Sequence, residues 1–260
     1  MAYGVGTPAD DWIRYQGSDP PSSSKIANSG LASPLTNHGA NCRRWNHPTG
    51  AVLANQYAYY KYSNPAFNAA KAHSIRACVR TSNLAGAIIR LILKSNFAGG
   101  TPSAALFYSV CFVTRPATNK ISLQCSKNMS SDCFGDYTNP AVDWVHSPAL
   151  TNNTWWGLRF DAMRQGDDMR LTCYTTNAPD VLDGSGEPAW VKGIDYYHQL
   201  GNNVPVLIYN NPAYSGTYLR DWGGMAPIYS GDAAFVATNI LAAGAGIYTH
   251  ADSIRIKQMP

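Results

Sequence analysis

Apolar and polar residues alternate along many short segments of this chain, and this alternation constrains its fold more than any motif does. Trp156, Leu158 and Phe160 share one side of residues 154–162, and Arg159 lies on the other side. A period of two residues is that of a β-strand with one buried face. The segment is therefore predicted to be a strand on the surface of a core.

A second alternating segment follows after a Gly-containing turn at residues 164–167. In residues 168–176, Met169, Leu171 and Cys173 are expected to face inward. Two alternating segments joined by a short turn with glycine predict a β-hairpin.

Other short strands are predicted before and after this hairpin, and the only helical turns expected are at residues 65–72 and 239–243. In the last strand, Ile254 and Ile256 are expected to be buried, and Arg255 and Lys257 exposed. Many short strands separated by turns predict an all-β antiparallel sandwich. The further strands are predicted at residues 74–81, 87–94, 105–113, 120–127, 233–240 and 252–258. A long Gly/Pro/Asn-rich region at 177–232 contains only short apolar pieces, at 190–197, 204–209 and 218–222.

Glu187 is the only glutamate among the 260 residues. Because glutamate is favoured on the surfaces of helices, its near absence argues against a helical protein. Glycosidases commonly use a pair of carboxylic acids, very often glutamates, and this chain has no second glutamate to offer. The composition therefore favours a β-protein without catalytic activity.

Charge and cysteine content exclude several partners. The formal net charge is +4, and the basic residues are scattered apart from Arg43-Arg44, so no nucleic-acid partner is predicted. No apolar run approaches the length of a membrane span. The six cysteines form no CxxC pair and the N-terminus lacks the pattern of a secretory signal, so we expect reduced thiols and synthesis in a host cytoplasm.

The chain is predicted to have two parts, an extended N-terminal arm over residues 1–45 and a β-sandwich domain over residues 46–260. Residues 16–41 are rich in Ser, Pro, Gly and Asn, and such a stretch buries little apolar surface of its own. The arm either packs against its own domain or lies on a neighbouring subunit.

The hairpin and the last strand resemble the concanavalin A-like lectin and glucanase jelly rolls, including laminin-G-like domains. The residues that carry the resemblance are W-x-L-R-F-D ending at Asp161, the Gly-Asp turn before MRLTCYTT, and D-S-I-R-I-K at 252–257, with SIRACVRT and AIIRLILK before them. The resemblance implies a jelly-roll sandwich, a fold shared by lectins, hydrolases and structural modules. The chain lacks the E-x-D-x-E strand of the glucanases.

No cofactor, no catalytic residue and no metal site is predicted. The histidines are dispersed. Asp180, Asp183 and Glu187 in APDVLDGSGEP loosely suggest oxygen ligands for calcium but match no loop template. The competing interpretation is a polar surface loop in which Asp and Gly form turns.

Aromatic residues provide the candidate binding site. Their rings could stack on sugars or anchor a partner protein, or they could belong to the core. The candidates are Trp155, Trp190, Tyr196, Tyr197, Tyr214, Tyr218 and Trp222.

The sequence predicts a non-enzymatic structural protein of a virus particle, because its Gly/Asn/Tyr-rich β composition resembles that of tailed-bacteriophage virion proteins. A capsid decoration (cement) protein that bridges shell subunits is favoured over a tail component. The predicted partners are major capsid or tail subunits and copies of the chain itself. The alternative is a glycan-binding adhesion module for host attachment. A glycan hydrolase is the third hypothesis, and it would need aspartates such as Asp161, Asp167 or Asp168.

Overall fold

The computed structural model of the chain describes fifteen β-strands and the segments next to them. The described residues form no helix, and so none that is long and apolar enough to cross a membrane. These residues are 12–16, 26–28, 43–47, 58–62, 70–82, 87–95, 107–115, 118–126, 142–145, 151–178, 188–199, 206–210, 228, 232–239 and 247–260. The strands are β1 (Trp12–Gln16), β2 (Ile26–Asn28), β3 (Arg43–His47), β4 (Ala58–Tyr62), β5 (His73–Thr81), β6 (Ala87–Ser95), β7 (Phe107–Arg115), β8 (Thr118–Ser126), β9 (Val142–Val145), β10 (Trp156–Gln165), β11 (Asp168–Thr176), β12 (Val191–His198), β13 (Val206–Asn210), β14 (Asp232–Asn239) and β15 (Ile247–Gln258).

The strands form two antiparallel sheets. The seven-stranded sheet has the order β1-β4-β14-β6-β7-β8-β9, and the eight-stranded sheet has the order β13-β12-β11-β10-β5-β15-β3-β2. Strands that follow one another in sequence often lie in different sheets. β4 and β6 belong to the seven-stranded sheet and β5 between them to the eight-stranded sheet; likewise β13 and β15 belong to the eight-stranded sheet and β14 to the seven-stranded one. Two antiparallel sheets that exchange strands in this way form a jelly-roll sandwich, so the predicted fold class is confirmed.

One hydrophobic core lies between the two sheets. Phe160 of β10 and Leu171 of β11 meet Leu91 of β6 and Phe235 of β14, and all four side chains are fully buried. The core side chains occupy every second position of their strands, as the alternation predicts. Cys173 also faces the core and is a free thiol.

A hydrogen-bonded pair joins the two sheets through this core. The Tyr108 hydroxyl of β7 contacts Nδ1 of His198 of β12 at 2.5 Å, and it accepts a hydrogen bond from the Ile228 N–H at 3.1 Å. The Tyr108 hydroxyl and His198 Nδ1 therefore satisfy each other inside the core.

The C-terminal strand departs from its prediction in two ways. It begins at Ile247, earlier than predicted, and its register shifts between Asp252 and Arg255. Ile256 is buried as predicted, but Arg255 is only 7% exposed, so the prediction that Arg255 is exposed is wrong. Arg255 lies opposite Arg76 of β5, which is itself only 3% exposed, so this part of the face is covered.

Two strands, β1 and β2, lie within residues 1–45, and β3 crosses the predicted boundary at residue 45. β1 pairs with β4 in one sheet, and β2 and β3 extend the edge of the other. The division into an arm and a domain at residue 45 stays a prediction. Of the two predicted helical turns, residues 70–72 form a turn before β5 and Asn239 ends strand β14, and the other residues of both lie outside the described part.

Candidate functional site

The side of the eight-stranded sheet that faces away from the core carries most of the charged and aromatic side chains described here, and we call it the outer face. Neighbouring residues of a strand point to opposite sides, so the residues between the core positions lie on this face. The described side chains are Ser74, Arg76, Cys78 and Arg80 of β5, Arg159, Asp161 and Met163 of β10, Asp168, Arg170, Thr172 and Tyr174 of β11, Lys192, Asp195 and Tyr197 of β12, and His250, Arg255 and Lys257 of β15.

Strand register aligns these residues in rows across five strands. One row is mainly basic, and the next contains two carboxylates. Residues in adjacent rows are two positions apart along a strand, or about 7 Å. The basic row is Arg255, Arg76, Arg159, Tyr174 and Lys192, and the second row is Lys257, Ser74, Asp161, Thr172 and Asp195.

A β-bulge at Gly193 places Lys192 in the basic row. Cys173 pairs with Ile194, but the next residue, Tyr174, pairs with Lys192, so Gly193 is an extra residue in β12. If Gly193 occupied a regular place in the ladder, Lys192 would lie two positions from Ile194 and would point to the core with it. The bulge therefore turns the lysine to the outer face.

Asp195 binds two cations on this face. Arg170 Nε donates to Asp195 Oδ1 at 2.8 Å and Arg170 Nη2 donates to Oδ2 at 2.6 Å, a bidentate pair. Lys192 Nζ donates to the same Oδ2 at 3.2 Å. The Arg170 guanidinium also lies 5.8 Å from the centre of the Tyr197 ring, within the range of a cation–π interaction.

A second bidentate pair lies on β10. Arg159 Nε and Nη2 donate to the two carboxylate oxygens of Asp161 at 3.0 and 2.7 Å. The Arg159 guanidinium lies 4.9 Å from the centre of the Tyr174 ring. The guanidinium groups of Arg159 and Arg170 are thus each fixed by a carboxylate and an aromatic ring, and their N–H groups have defined directions.

The ion pairs set the charge states of these groups. Burial alone raises the pKa of Asp195, but the hydrogen bonds from Arg170 and Lys192 and their positive charges outweigh it, and the pKa lies below its ordinary value. The hydrogen bond to Asp195 raises the pKa of Arg170 further above its already high value. Asp195 is therefore a permanent anion at neutral pH.

Two partly exposed tryptophans lie at the other end of the outer face. Trp155 and Trp190 both pack against Cys78, which is fully buried beneath them. Cys78 pairs with Gly157, so the strands under the indoles carry small side chains at this point. Both indoles therefore rest on small residues of the sheet. The ring of His250 meets Trp155 edge-on, with 6.5 Å between the ring centres.

The loop before β10 holds Trp155 in place. Asn153 has a φ of 60°, a left-handed conformation that asparagine tolerates better than most residues. Its N–H donates to the Thr81 carbonyl at 2.8 Å, and its own carbonyl accepts from Arg80 Nε at 2.7 Å. The hydroxyls of Thr151 and Thr154 close the loop at 2.6 Å.

The structure separates the predicted aromatic residues into groups. Trp155, Trp190 and Tyr197 lie on the outer face and are partly exposed. Tyr196 instead faces the core and is fully buried, because its neighbours Asp195 and Tyr197 point outward. Its ring is therefore not at the surface. Tyr214, Tyr218 and Trp222 lie outside the described residues.

The weak calcium candidates Asp180, Asp183 and Glu187 also lie outside the described residues. Among the residues that are described, no three His, Cys, Asp or Glu side chains come together in a group that could hold a metal ion.

Sequence reasoning missed Arg170, Lys192 and Asp195. The alternation of residues 168–176 puts Arg170 on the side opposite to Met169 and Leu171, but it assigns no role to this arginine. The one available signal was Gly193 inside the apolar segment VKGIDYYH, because glycine within a strand pattern often marks a bulge.

The aspartates proposed for hydrolysis are not arranged as a catalytic pair. Asp168 pairs with Gln165 and lies four residues along β11 from Thr172, the partner of Asp161, or about 13 Å away. Asp167 is in the turn and contacts Arg164 at 3.7 Å. Asp161 and Asp195 lie two strands apart, about 10 Å between their backbones, but each carboxylate is bound to an arginine.

No protein-family model matches the sequence, and no curated protein matches it. Solved structures are similar in fold. The exoplasmic/lumenal domain of VIP36, in a form with Ca2+ and Man3GlcNAc bound, is 12% identical with a TM-score of 0.47, over 95% of this chain and 88% of that one.

Two further structures show the same range of similarity. Arcelin-5, a lectin-like defense protein from Phaseolus vulgaris, is 11% identical with a TM-score of 0.40, over 96% of this chain and 100% of that one. The Bacillus licheniformis beta-glucanase is 9% identical with a TM-score of 0.42, again over 96% and 100%. These similarities concern the arrangement of strands and assign no ligand or activity to this chain.

Proposed function

We propose that the chain is a carbohydrate-binding protein that holds a glycan along the outer face without cleaving it. The observation that carries this proposal is the alignment, on one sheet face, of the partly exposed Trp155 and Trp190 with the guanidinium groups of Arg159 and Arg170. The two ends are about 17 Å apart, since Thr175, the partner of Val191, is five residues from Arg170. A surface of that length suits an extended oligosaccharide.

The residue types of this face match the chemistry of sugars. A pyranose ring has an apolar C–H side that packs on aromatic rings and a rim of hydroxyl groups that need hydrogen-bond partners. Indoles and phenols provide the first kind of contact. Guanidinium groups fixed by Asp161 and Asp195 provide donors with little conformational entropy left to lose on binding.

Binding without cleavage is supported by the state of the carboxylates. Glycoside hydrolysis commonly needs one carboxylic acid with a raised pKa to protonate the leaving oxygen. Asp195 has a lowered pKa and Asp161 is held by both donors of Arg159. Neither group is suited to give up a proton to a glycosidic oxygen.

Affinity electrophoresis through gels that contain soluble polysaccharides tests the proposal. We expect the chain to be retarded by at least one polysaccharide, and Trp155→Ala and Trp190→Ala each to weaken the retardation about 10-fold. Val191→Ala is the matched control, because Val191 is 45% exposed and adjoins Trp190 but pairs with Thr175 on the side opposite to the outer face.

Thermal unfolding of each variant shows whether the fold is retained. Two results would overturn the proposal: mobility of the unaltered chain that no polysaccharide in the panel changes, or equal loss of binding in Val191→Ala and the tryptophan variants. Release of reducing sugar from a bound polysaccharide would overturn the non-catalytic part alone.

A structural role in a virus particle is the second candidate. Arg, Tyr and Trp are also the residues that most often anchor protein interfaces, and the outer face presents all three. In this role the chain would bridge capsid or tail subunits or associate with copies of itself. Sedimentation tests the self-association: a 28.2 kDa monomer that retains polysaccharide binding speaks for the first proposal, whereas an oligomer broken up by Trp155→Ala speaks for the second.

A further inference from the structure

The outer face holds an excess of positive charge. Its described side chains include seven basic residues and three acidic ones, an excess of four, which equals the formal net charge of +4 of the whole chain. The basic residues are Arg76, Arg80, Arg159, Arg170, Lys192, Arg255 and Lys257, and the acidic ones are Asp161, Asp168 and Asp195. Arg76 and Arg255 are only 3% and 7% exposed, so the accessible positive charge of this face comes from Arg80, Arg159, Arg170, Lys192 and Lys257.

The arrangement around Asp195 is layered. The Asp195 side chain is 1% exposed, whereas Arg170 and Lys192, the two cations bound to it, are 32% and 37% exposed. One buried negative charge thus supports two positive charges nearer the surface. The carboxylate holds both cations in place and neutralises only one of them, which leaves a local charge of about +1 at the surface.

Arg170 retains hydrogen-bonding capacity in this arrangement. A guanidinium group has five N–H bonds, and two of those of Arg170 are directed at Asp195. The Tyr197 ring lies against the guanidinium and limits its movement. A planar guanidinium binds carboxylates and tetrahedral oxyanions such as phosphate and sulfate through paired hydrogen bonds, and Lys192 adds a second charge beside Arg170.

From this geometry we propose that the glycan is acidic, and that one of its carboxylate or sulfate groups binds at Arg170 and Lys192 above Asp195. This inference rests on the proposed function and names the class of ligand for the same face. The sugar rings would continue from this anchor towards Trp155 and Trp190.

An acidic polysaccharide fits this face better than a nucleic acid. A nucleic acid strand carries one phosphate for every nucleotide, and it binds best to surfaces of unbroken positive charge. Here Asp161 and Asp195 lie between the cations of the outer face. Such alternation suits a chain whose charged groups are separated by neutral hydroxyls.

Paired polymers with a common backbone test the inference. Binding is measured for dextran sulfate against dextran, for polygalacturonate against its methyl ester, and for single-stranded poly(dT). We expect each acidic polymer to bind at least 10-fold more tightly than its neutral counterpart, and poly(dT) to bind more weakly than both acidic polymers. The pair with the larger ratio identifies sulfate or carboxylate as the preferred group.

Lys192→Met tests the position of the anchor. We expect it to weaken binding to the acidic polymer about 10-fold and to reduce the slope of log K against log salt concentration by about one. Lys71→Met is the control, since Lys71 is an exposed lysine outside the outer face that carries the same charge. Melting temperatures of both variants report on the fold.

The possible results separate the two proposals. Equal binding of acidic and neutral polymers, or tighter binding of poly(dT), overturns the acidic ligand, and in the first case the proposed glycan-binding function stands. Equal effects of Lys192→Met and Lys71→Met overturn the anchor. Absence of binding to any polysaccharide overturns both proposals.

Discussion

Lys94, near the end of β6, is a charged residue in a buried position. Its side chain is fully buried, its φ is 57°, and its Nζ donates a hydrogen bond to the Lys71 carbonyl at 2.6 Å. Burial, together with the positive charge of Arg164, lowers the pKa of Lys94 to about 8. A single lysine therefore makes the stability of the fold depend on mildly alkaline pH.

The direction of this dependence follows from proton binding. Between pH 8 and 10 the unfolded chain keeps the Lys94 proton that the folded protein has released, so the free energy of unfolding rises with pH. Lys94→Met keeps the length of the side chain and removes the charge. We expect the rise of about 1–2 kcal/mol between pH 7.5 and 9.5 to disappear in this variant. Urea unfolding at both pH values measures it, and Lys71→Met should behave like the unaltered chain. An unchanged rise in Lys94→Met would contradict the assignment.

Among the elements, the β10–β11 hairpin is the one whose turn is most clearly specified by sequence. Gln165 pairs with Asp168, so Gly166 and Asp167 form a two-residue turn, and Gly166 has a φ of 64°. Asp167, the second central residue, is not at positive φ. A positive φ at the first central residue alone is the geometry of a type II′ turn, which matches the right-handed twist of the strands.

Gly166→Ala is expected to destabilise the hairpin by about 1 kcal/mol through the backbone alone. A β-carbon at this position would meet no atom within 4 Å, so steric contact contributes nothing. Gly166→Asn should cost less, because asparagine follows glycine among the residues that occupy positive φ in turns of this class. Chemical denaturation of the three proteins gives the order. A loss in Gly166→Asn as large as that in Gly166→Ala would show that the turn conformation is not the cause.

Strands with unbroken alternation could be predicted from sequence, and strands interrupted by bulges could not. The alternation predicts β5, β10 and β11 to within three residues at each end. β15 was predicted only from residue 252, because the register shift after Asp252 breaks the alternation. For the same reason Lys192 was not recognised as a site residue. The short strand β9 contains too few residues for a period to be visible, and its pairing with β8 decides its structure.

The whole molecule depends on one core shared by both sheets. The Tyr108–His198 hydrogen bond and the packing of Phe160 against residues of both sheets make the two layers a single unit. A domain with one core of this kind is expected to unfold in one cooperative step. The positions of the core residues followed from alternation, whereas the pairing of Tyr108 with His198 depends on the way the two sheets stack.

Phe160→Ala tests this unity. Removing a fully buried phenylalanine is expected to cost about 3–5 kcal/mol. Because the core is shared, the near-ultraviolet and far-ultraviolet circular dichroism transitions should move together to lower denaturant concentration. Met163→Ala, at a partly exposed position of the outer face, is the control and should shift them little. Separation of the two transitions in Phe160→Ala would mean that the sheets unfold independently.

The bulge at Gly193 also bears on how this strand can change in length during evolution. Gly193 stands outside the register with β11, so its deletion would leave Lys192 opposite Tyr174 and Val191 opposite Thr175, and no side chain would change sides. If residue 193 instead entered the ladder, Lys192 would point to the core and Val191 to the outer face. A lineage could therefore gain or lose this one codon while the hydrophobic core and the proposed binding surface are both inherited unchanged, provided that the extra residue stays out of the ladder.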